Sequence, residues 1–310
     1  MRTTKILNVP CRGGADSDVM LDMLLRCGAR GKTHFVFFST GVEYKATYEQ
    51  LDSLEKKYDI TIERIKPVKT VPACCKEYGL PFLSKNVSEL INRLQRHGFQ
   101  YEDEPVDVLK RKYPTATTSV GWWCNTRSPG RSNRFNIDRN KYLKEFLILN
   151  PPAFKITNKC CYYAKKLPSQ RYNKEHDIDL LCTGVRKDEG GVRSMAYKNC
   201  FSYNATYKVD AFRPLFFFRN ADCKAYCEHY GVTHSRCYTE YGFKRTGCVG
   251  CPYNRNFEEE LEKMKQFEPN TYKLANAMFG TVYDYTRKYR AFQKEMKAKE
   301  KEQKEEQTKE

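Results

Sequence analysis

Nowhere in this chain do apolar residues run on for the roughly 20 positions that a membrane-crossing helix needs, so no membrane role is expected. The opening stretch, Met1-Arg-Thr-Thr-Lys-Ile-Leu-Asn-Val, lacks a signal-peptide core and a small-residue cleavage site. Both absences point to the cytoplasm. In that compartment the fourteen cysteines stay mostly reduced, which argues against a disulfide framework. Acidic residues are short by a wide margin, 38 against 55 Lys and Arg. The resulting net charge of +17 calls for an anionic partner: a nucleotide, a sulfate or a nucleic acid. There is no internal repeat.

What is present suits one sizeable α/β core with an appended region, since 310 residues with 40% hydrophobic content can bury it. Lys5 to Val9 is a short β-prone run, followed by a Gly-Gly turn and a helix that Asp16 or Ser17 can cap, with Val19, Met20, Met23 and Leu24 at helical spacing. His34-Phe-Val-Phe-Phe has the continuous apolar character of a strand inside a parallel sheet. A helix around residues 48–57, a strand over 60–65 and a later strand at Ile178-Asp-Leu-Leu-Cys continue the alternation. The pattern predicts a doubly wound, mostly parallel sheet with helices on both faces. A helical and loop insertion spans about 86–150, a helical segment 256–297, and a charged disordered tail 298–310.

Two loops read as anion sites. In Gly13-Gly14-Ala15-Asp16-Ser17, between first strand and first helix, backbone N–H groups can converge on a phosphate, although a plain βα turn has the same composition. It is not a Walker loop, because the closing Gly-Lys-Ser/Thr is missing. In Thr183 to Arg193, after a buried strand, Arg186 and Arg193 can hold a phosphate or sulfate; the alternative is an ordinary charged surface loop. From Lys110 to Lys144, nine Lys or Arg face Asp138 alone. With Trp122, Trp123 and Phe135 interleaved, this stretch can track a nucleic acid and stack its bases, or form a basic lid over a small anion.

The cysteines carry a further signal. Cys248-x-x-Cys251-Pro252 has the shape of a metal knuckle, and Cys160-Cys161 supplies a second pair. Adjacent thiols are an awkward bite for one tetrahedral zinc, whereas a [4Fe–4S] cluster presents its ligand positions on separate irons. Iron–sulfur is therefore expected ahead of zinc. Cys74-Cys75 lies in a helical stretch without a second pair. Cys237 is an alternative ligand or a reactive thiol, Cys11 and Cys182 sit beside the anion loops as candidate nucleophiles, and packing is the more ordinary role for all three. Cys27, Cys200, Cys223 and Cys227 read as small packing residues.

As a set, these segments resemble the phosphoadenosine phosphosulfate reductase family of the adenine nucleotide α-hydrolase superfamily. Gly13 to Ser17 is similar to its SGGxDS loop, and Ser39-Thr40-Gly41-Val42-Glu43-Tyr44 to its D-T-G-x-x-Y segment. Gly79 to Lys85, Gly184-Val185-Arg186 with Glu189 and Arg193, and Gly242 to Pro252 match as well, so that the likeness covers roughly residues 3–255. The chain departs from the pattern at Arg12, Ala15, Ser39 and Gly190. It also has no cysteine after Cys251, where the reductases carry a Cys-Gly-x-His segment whose thiol attacks the sulfate.

The resemblance implies an enzyme that binds ATP or an adenylyl sulfate through Gly13, Gly14, Asp16, Ser17, Thr40, Gly41, Arg186 and Arg193. It implies a [4Fe–4S] cluster on Cys160, Cys161, Cys248 and Cys251. The expected reaction is reductive cleavage of an adenylyl sulfate or adenylation-linked sulfur transfer, with a sulfur- or electron-donor protein as partner and the attacking thiol unassigned. ATP-dependent thiolation of a nucleic acid bound at 110–144 is the alternative enzyme. A non-catalytic nucleotide- or nucleic-acid-binding protein with structural zinc is the alternative of another class.

Overall fold

The computed structural model describes residues 6–11, 13–31, 33–127, 135–190, 196–204 and 209–307. The chain runs β1 (Leu7–Pro10), α1 (Ala15–Arg26), β2 (Thr33–Phe38), α2 (Lys45–Tyr58), β3 (Ile62–Ile65) and α3 (Val71–Tyr78). It continues through α4 (Lys85–Arg96), α5 (Val106–Lys112), α6 (Thr117–Trp123) and α7 (Leu143–Leu149). A helical turn at Lys159–Cys161 and a π-helical segment at Tyr162–Lys166 lead into α8 (Leu167–Glu175). Then come β4 (Leu180–Cys182), β5 (Phe201–Ser202), β6 (Asp210–Phe212), α9 (Asn220–Tyr230), α10 (Arg236–Thr239), α11 (Phe257–Phe267) and α12 (Pro269–Gln307). Two units result: residues 1–71, 161–249 and 259–272 form the first, residues 72–160, 250–258 and 273–310 the second.

The first unit is built on a six-stranded sheet of order β3-β2-β1-β4-β6-β5, parallel except for β5. Val9, Phe35, Phe37, Ile62 and Cys182 from the strands pack with Val19, Met20, Leu21 and Leu24 of α1 and Leu51 and Leu54 of α2 in one buried cluster. Apolar residues at helical spacing on α1 and α2 thus cover the central strands, which explains why β1 and β2 are apolar without alternation. After β1 the chain goes first to β2 on one side and later to β4 on the other. Strand order reverses at that point, and in open α/β sheets ligands bind outside the carboxyl ends there.

The second unit is helical. Ser84 caps α4, accepting from the Val87 amide at 3.2 Å, and α4 buries Val87, Leu90, Ile91 and Leu94. Phe82 and Phe146 meet Tyr285 and Tyr289 of α12, and Phe257 stacks on Tyr283 with ring centroids 4.8 Å apart.

Two expectations change. Trp122 and Trp123 are 1% and 0% exposed, so they do not stack bases. Trp123 packs edge-on against Phe99 and Tyr101 and donates its indole N–H to the Glu102 carbonyl at 2.8 Å, a core aromatic with its polar handle satisfied. The helical segment expected over 256–297 is present, as two helices that meet where Pro269 opens α12 and the Glu268 carboxylate accepts from the Lys45 and Ala46 amides. Residues 298–307 continue α12 as helix instead of a disordered tail, with Lys141–Glu300 paired at 2.7 Å and i,i+4 pairs along the end.

Candidate functional site

At the switch point between β1 and β4 lies a cleft of about 850 Å³, wholly within the first unit. Pro10 and Cys182 stand at the strand ends, and the N-terminus of α1 opens into the cleft through Gly14, Ala15, Asp16 and Ser17. Gly13 has φ +58°, the left-handed region glycine adopts without strain, and this sets the turn that swings the chain from β1 into α1. The Ser17 hydroxyl donates to the Gly14 carbonyl at 2.7 Å and accepts from the Gly14 amide at 3.1 Å, which closes the turn. The positive end of α1 and its first-turn amides are the parts of this motif that face an anion.

The loop after β4 crosses close to that helix end. A Cβ at Gly184 would sit 2.9 Å from the Asp16 carbonyl oxygen, so only glycine allows this approach. The approach brings Arg186 to Asp16, with Nε donating to Oδ1 at 2.8 Å. Arg186 is 8% exposed, and its Nη1 has no hydrogen-bond partner; Asp188 Oδ2, at 3.8 Å, is too far. Burial raises the Asp16 carboxyl, and the Arg186 guanidinium opposes that rise. Glu189 holds the loop by accepting from the Arg186 amide at 3.0 Å, and lies 3.6 Å from Arg245. Lys165, Lys224, Lys244 and Arg245 add positive charge to the wall. The cleft therefore presents a helix N-terminus and a buried, partly unsatisfied guanidinium, the elements of a phosphate or sulfate site.

The residues singled out by sequence divide as follows. Gly14, Asp16, Ser17, Thr40 and Arg186 line the cleft. Gly13 shapes the turn beneath it, Gly41 is exposed, and Arg193 lies outside the described residues. Tyr44 is buried and donates to Glu260, a core role. Cys11 and Cys182 are 2% and 0% exposed; burial pushes the Cys182 thiol up to about 12 and that of Cys11 higher still, which removes both as nucleophiles. Burial likewise takes Cys237 to about 11. Cys27 is exposed rather than packed, and Cys223 and Cys227, read as packing residues, line the cleft. Their spacing of four on α9 puts both on one face, a signal that the sequence held and that the cysteine pairs overshadowed.

Cys160 is buried, and Cys161, Cys248 and Cys251 are half-buried. Cys161 and Cys248 belong to the first unit, Cys160 and Cys251 to the second. Four thiols suit a thiophilic metal in type. Among the described residues, however, no group of three or more His, Cys, Asp or Glu is gathered to hold a metal ion. Among the described residues no helix is long and apolar enough to cross a membrane.

A search of curated proteins returns no match. Among solved structures, the chain is similar to a phosphoadenylyl-sulfate reductase from Candida auris in complex with phosphate. The identity is 15%, the alignment covers 79% of this chain and 82% of that one, and the TM-score is 0.43. It is also similar to the U34-tRNA thiolase NcsA from Methanococcus maripaludis, solved with its [4Fe–4S] cluster. Here the identity is 14%, with 92% and 72% covered and a TM-score of 0.37. The sequence profile of the phosphoadenosine phosphosulfate reductase domain matches residues 6–98 and 128–254, well over half of the chain. The chain belongs to the phosphoadenosine phosphosulfate reductase domain family.

Proposed function

We propose that this protein is an enzyme that cleaves an adenylyl sulfate, with the nucleotide phosphate at the N-terminus of α1 and the sulfate on Arg186. The observation that carries this reading is the Arg186 guanidinium, 8% exposed, with one nitrogen fixed by Asp16 and another without a hydrogen-bond partner. A buried donor without an acceptor is costly unless a ligand supplies one. Gly14 and the first-turn amides of α1 supply the second half of a two-anion site, which matches a phosphosulfate better than a single phosphate. Arg193 is proposed as a further sulfate contact, and Thr40 and Gly41 as part of the nucleotide wall.

Titration calorimetry with adenylyl sulfate and with ATP tests this, beside an assay for released sulfite. Arg186→Ala should weaken adenylyl sulfate about 10- to 100-fold, the value of charge-assisted bonds to one guanidinium. Binding of ATP with release of pyrophosphate, and indifference to adenylyl sulfate, would overturn it in favour of ATP-driven sulfur transfer.

Cys160, Cys161, Cys248 and Cys251 are proposed to hold a [4Fe–4S] cluster, on the strength of their sequence pattern. When bound, such a group supplies iron that positions and polarises sulfur.

A further inference from the structure

The cleft holds a thiol with a base behind it. Cys227 Sγ lies 3.4 Å from His234 Nε2, and His234 Nδ1 lies 3.1 Å from Asp18 Oδ2. All three residues belong to the first unit, and Cys227 and His234 line the cleft with Gly14, Ser17 and Arg186. Local structure fixes the three. α9 ends at Gly231, whose φ of +63° lets the chain reverse, and the Val232 amide bonds back to the Cys227 carbonyl at 3.0 Å. That reversal carries His234 back to Cys227. Ser235, the next residue, is pinned by its hydroxyl to the Ala46 carbonyl at 2.9 Å. Asp18, 1% exposed on α1, accepts from Gln50 Nε2 at 3.2 Å, and the same nitrogen donates to the Thr233 carbonyl at 3.0 Å.

Proton positions follow from these partners. Asp18 is pushed up to about 6 by burial, against the pull of its His234 and Gln50 bonds, and so is mainly ionised at pH 7. An ionised carboxylate only accepts, hence His234 donates from Nδ1 to Asp18, which in the neutral imidazole leaves the Nε2 lone pair facing Cys227. The thiol itself is held protonated: burial raises it, and Asp18, Asp22, Glu228 and Asp16 add to the rise. A neutral thiol at rest, facing the lone pair of an oriented imidazole, is the arrangement of a nucleophile activated by a general base.

We propose that Cys227 is the attacking thiol of this enzyme, with His234 as its base, Asp18 as the positioning residue, and the sulfate sulfur of an adenylyl sulfate as the target. The assignment rests on the adenylyl sulfate reading above. A second observation, the buried Arg186 nitrogen without a hydrogen-bond partner on a residue that lines the same cleft, supplies the place where that sulfate sits. In the step, His234 Nε2 takes the thiol proton and Cys227 sulfur bonds to the sulfate sulfur. The bond from that sulfur to the bridging oxygen breaks, and its electron pair leaves with adenosine monophosphate. The products are an S-sulfo group on Cys227 and a protonated His234. The two electrons that reduce the sulfuryl group come from the thiol sulfur, so this half-reaction consumes no other reductant. An added dithiol then cleaves the S–S bond and frees sulfite.

Full-length protein purified without oxygen, mixed with adenylyl sulfate and no added thiol, should release one adenosine monophosphate per chain. It should also gain one SO₃ group in mass on the Cys227 peptide. Cys227→Ser should do neither while still binding the nucleotide, His234→Asn should slow both by about 10²-fold or more, and Cys27→Ser should match wild type. Substrate-free alkylation by iodoacetamide gives a second readout. His234→Asn and Asp18→Asn should slow the reaction at Cys227 and shift its pH profile, while leaving the rate at exposed Cys27 unchanged. Sulfite release that survives in Cys227→Ser overturns the assignment and leaves the adenylyl sulfate reading intact. Failure of the wild type to bind or cleave adenylyl sulfate overturns that reading and the assignment with it. Alkylation of Cys227 at the same rate in His234→Asn removes the base from the scheme.

Discussion

Asp18 illustrates a residue whose placement costs stability. Its carboxyl is almost fully buried, one oxygen lacks a hydrogen-bond partner, and burial raises it from 3.8 to about 6. A raised folded value means that the folded state binds the proton more tightly than the unfolded chain does. The burden is therefore absent below about 4, grows as pH climbs from 4 to 6, and is fully present above 6. Asp22, one turn along α1, runs the other way: burial raises it, but Arg26, Tyr226 and Tyr58 outweigh burial and leave it lowered. That group stabilises the fold at neutral pH and loses its contribution in acid. Asp18→Asn should thus raise stability at pH 7 by roughly 1–3 kcal/mol, with the difference from wild type vanishing near pH 4. Denaturant midpoints of the two proteins across that range check it. A variant no more stable than wild type at pH 7 would show that the carboxylate is better satisfied than its bonds indicate. A gain in stability alongside a loss of cleavage is the pattern expected of a residue kept for function.

At the scale of elements, most of the first unit was legible. The apolar runs at β1 and β2, the helical spacing on α1 and the strand before Gly184 all lie within a few residues of their expected places, because parallel strands buried on both faces leave an unbroken apolar signature. The stacking role expected of Trp122 and Trp123 fails for a physical reason. Tryptophan beside cationic residues describes a stacking platform and a core aromatic under a charged rim equally well, and only burial separates the two. His234 carried no local signal either, since its partner Asp18 is 216 positions away in sequence. The cysteine pairs sit on short elements, a helical turn at Lys159–Cys161 and a turn at 248–251, where sequence spacing is the whole argument. Protein prepared without oxygen should contain iron and acid-labile sulfide and absorb in the thiolate-to-iron region, and Cys248→Ser with Cys251→Ser should abolish both. Colourless protein loaded with zinc would replace the cluster by a structural ion.

For the molecule as a whole, the division into two units revises what its C-terminal helix is for. In sequence, the residues after 255 look like an appendage ending in Lys, Glu, Gln and Thr. In the second unit, α12 instead supplies Phe279, Val282, Tyr283 and Tyr289, all 3% exposed or less, and Tyr283 stacks on Phe257. Each such aromatic is worth about 3–5 kcal/mol when truncated, a sizeable part of the stability of an ordinary domain. The end of the helix is another matter. Beyond residue 297 every described side chain is exposed except at Glu300, which pairs with Lys141 at 2.7 Å and lies beside Tyr142. Such a solvent-exposed pair contributes little, and the exposed i,i+4 pairs around it add little more. A chain ending at residue 297 should therefore melt within a few degrees of the full chain and bind the same nucleotide with the same affinity. A chain ending at residue 272 should lose the second unit to aggregation, because Phe82, Phe146 and Phe257 lose the rings that cover them. Thermal melting and size-exclusion profiles of the two truncations decide the matter. If the shorter loss proves as damaging as the longer one, the charged end is a working part of the fold; if it does not, the packing of the second unit stops with the last aromatic of α12.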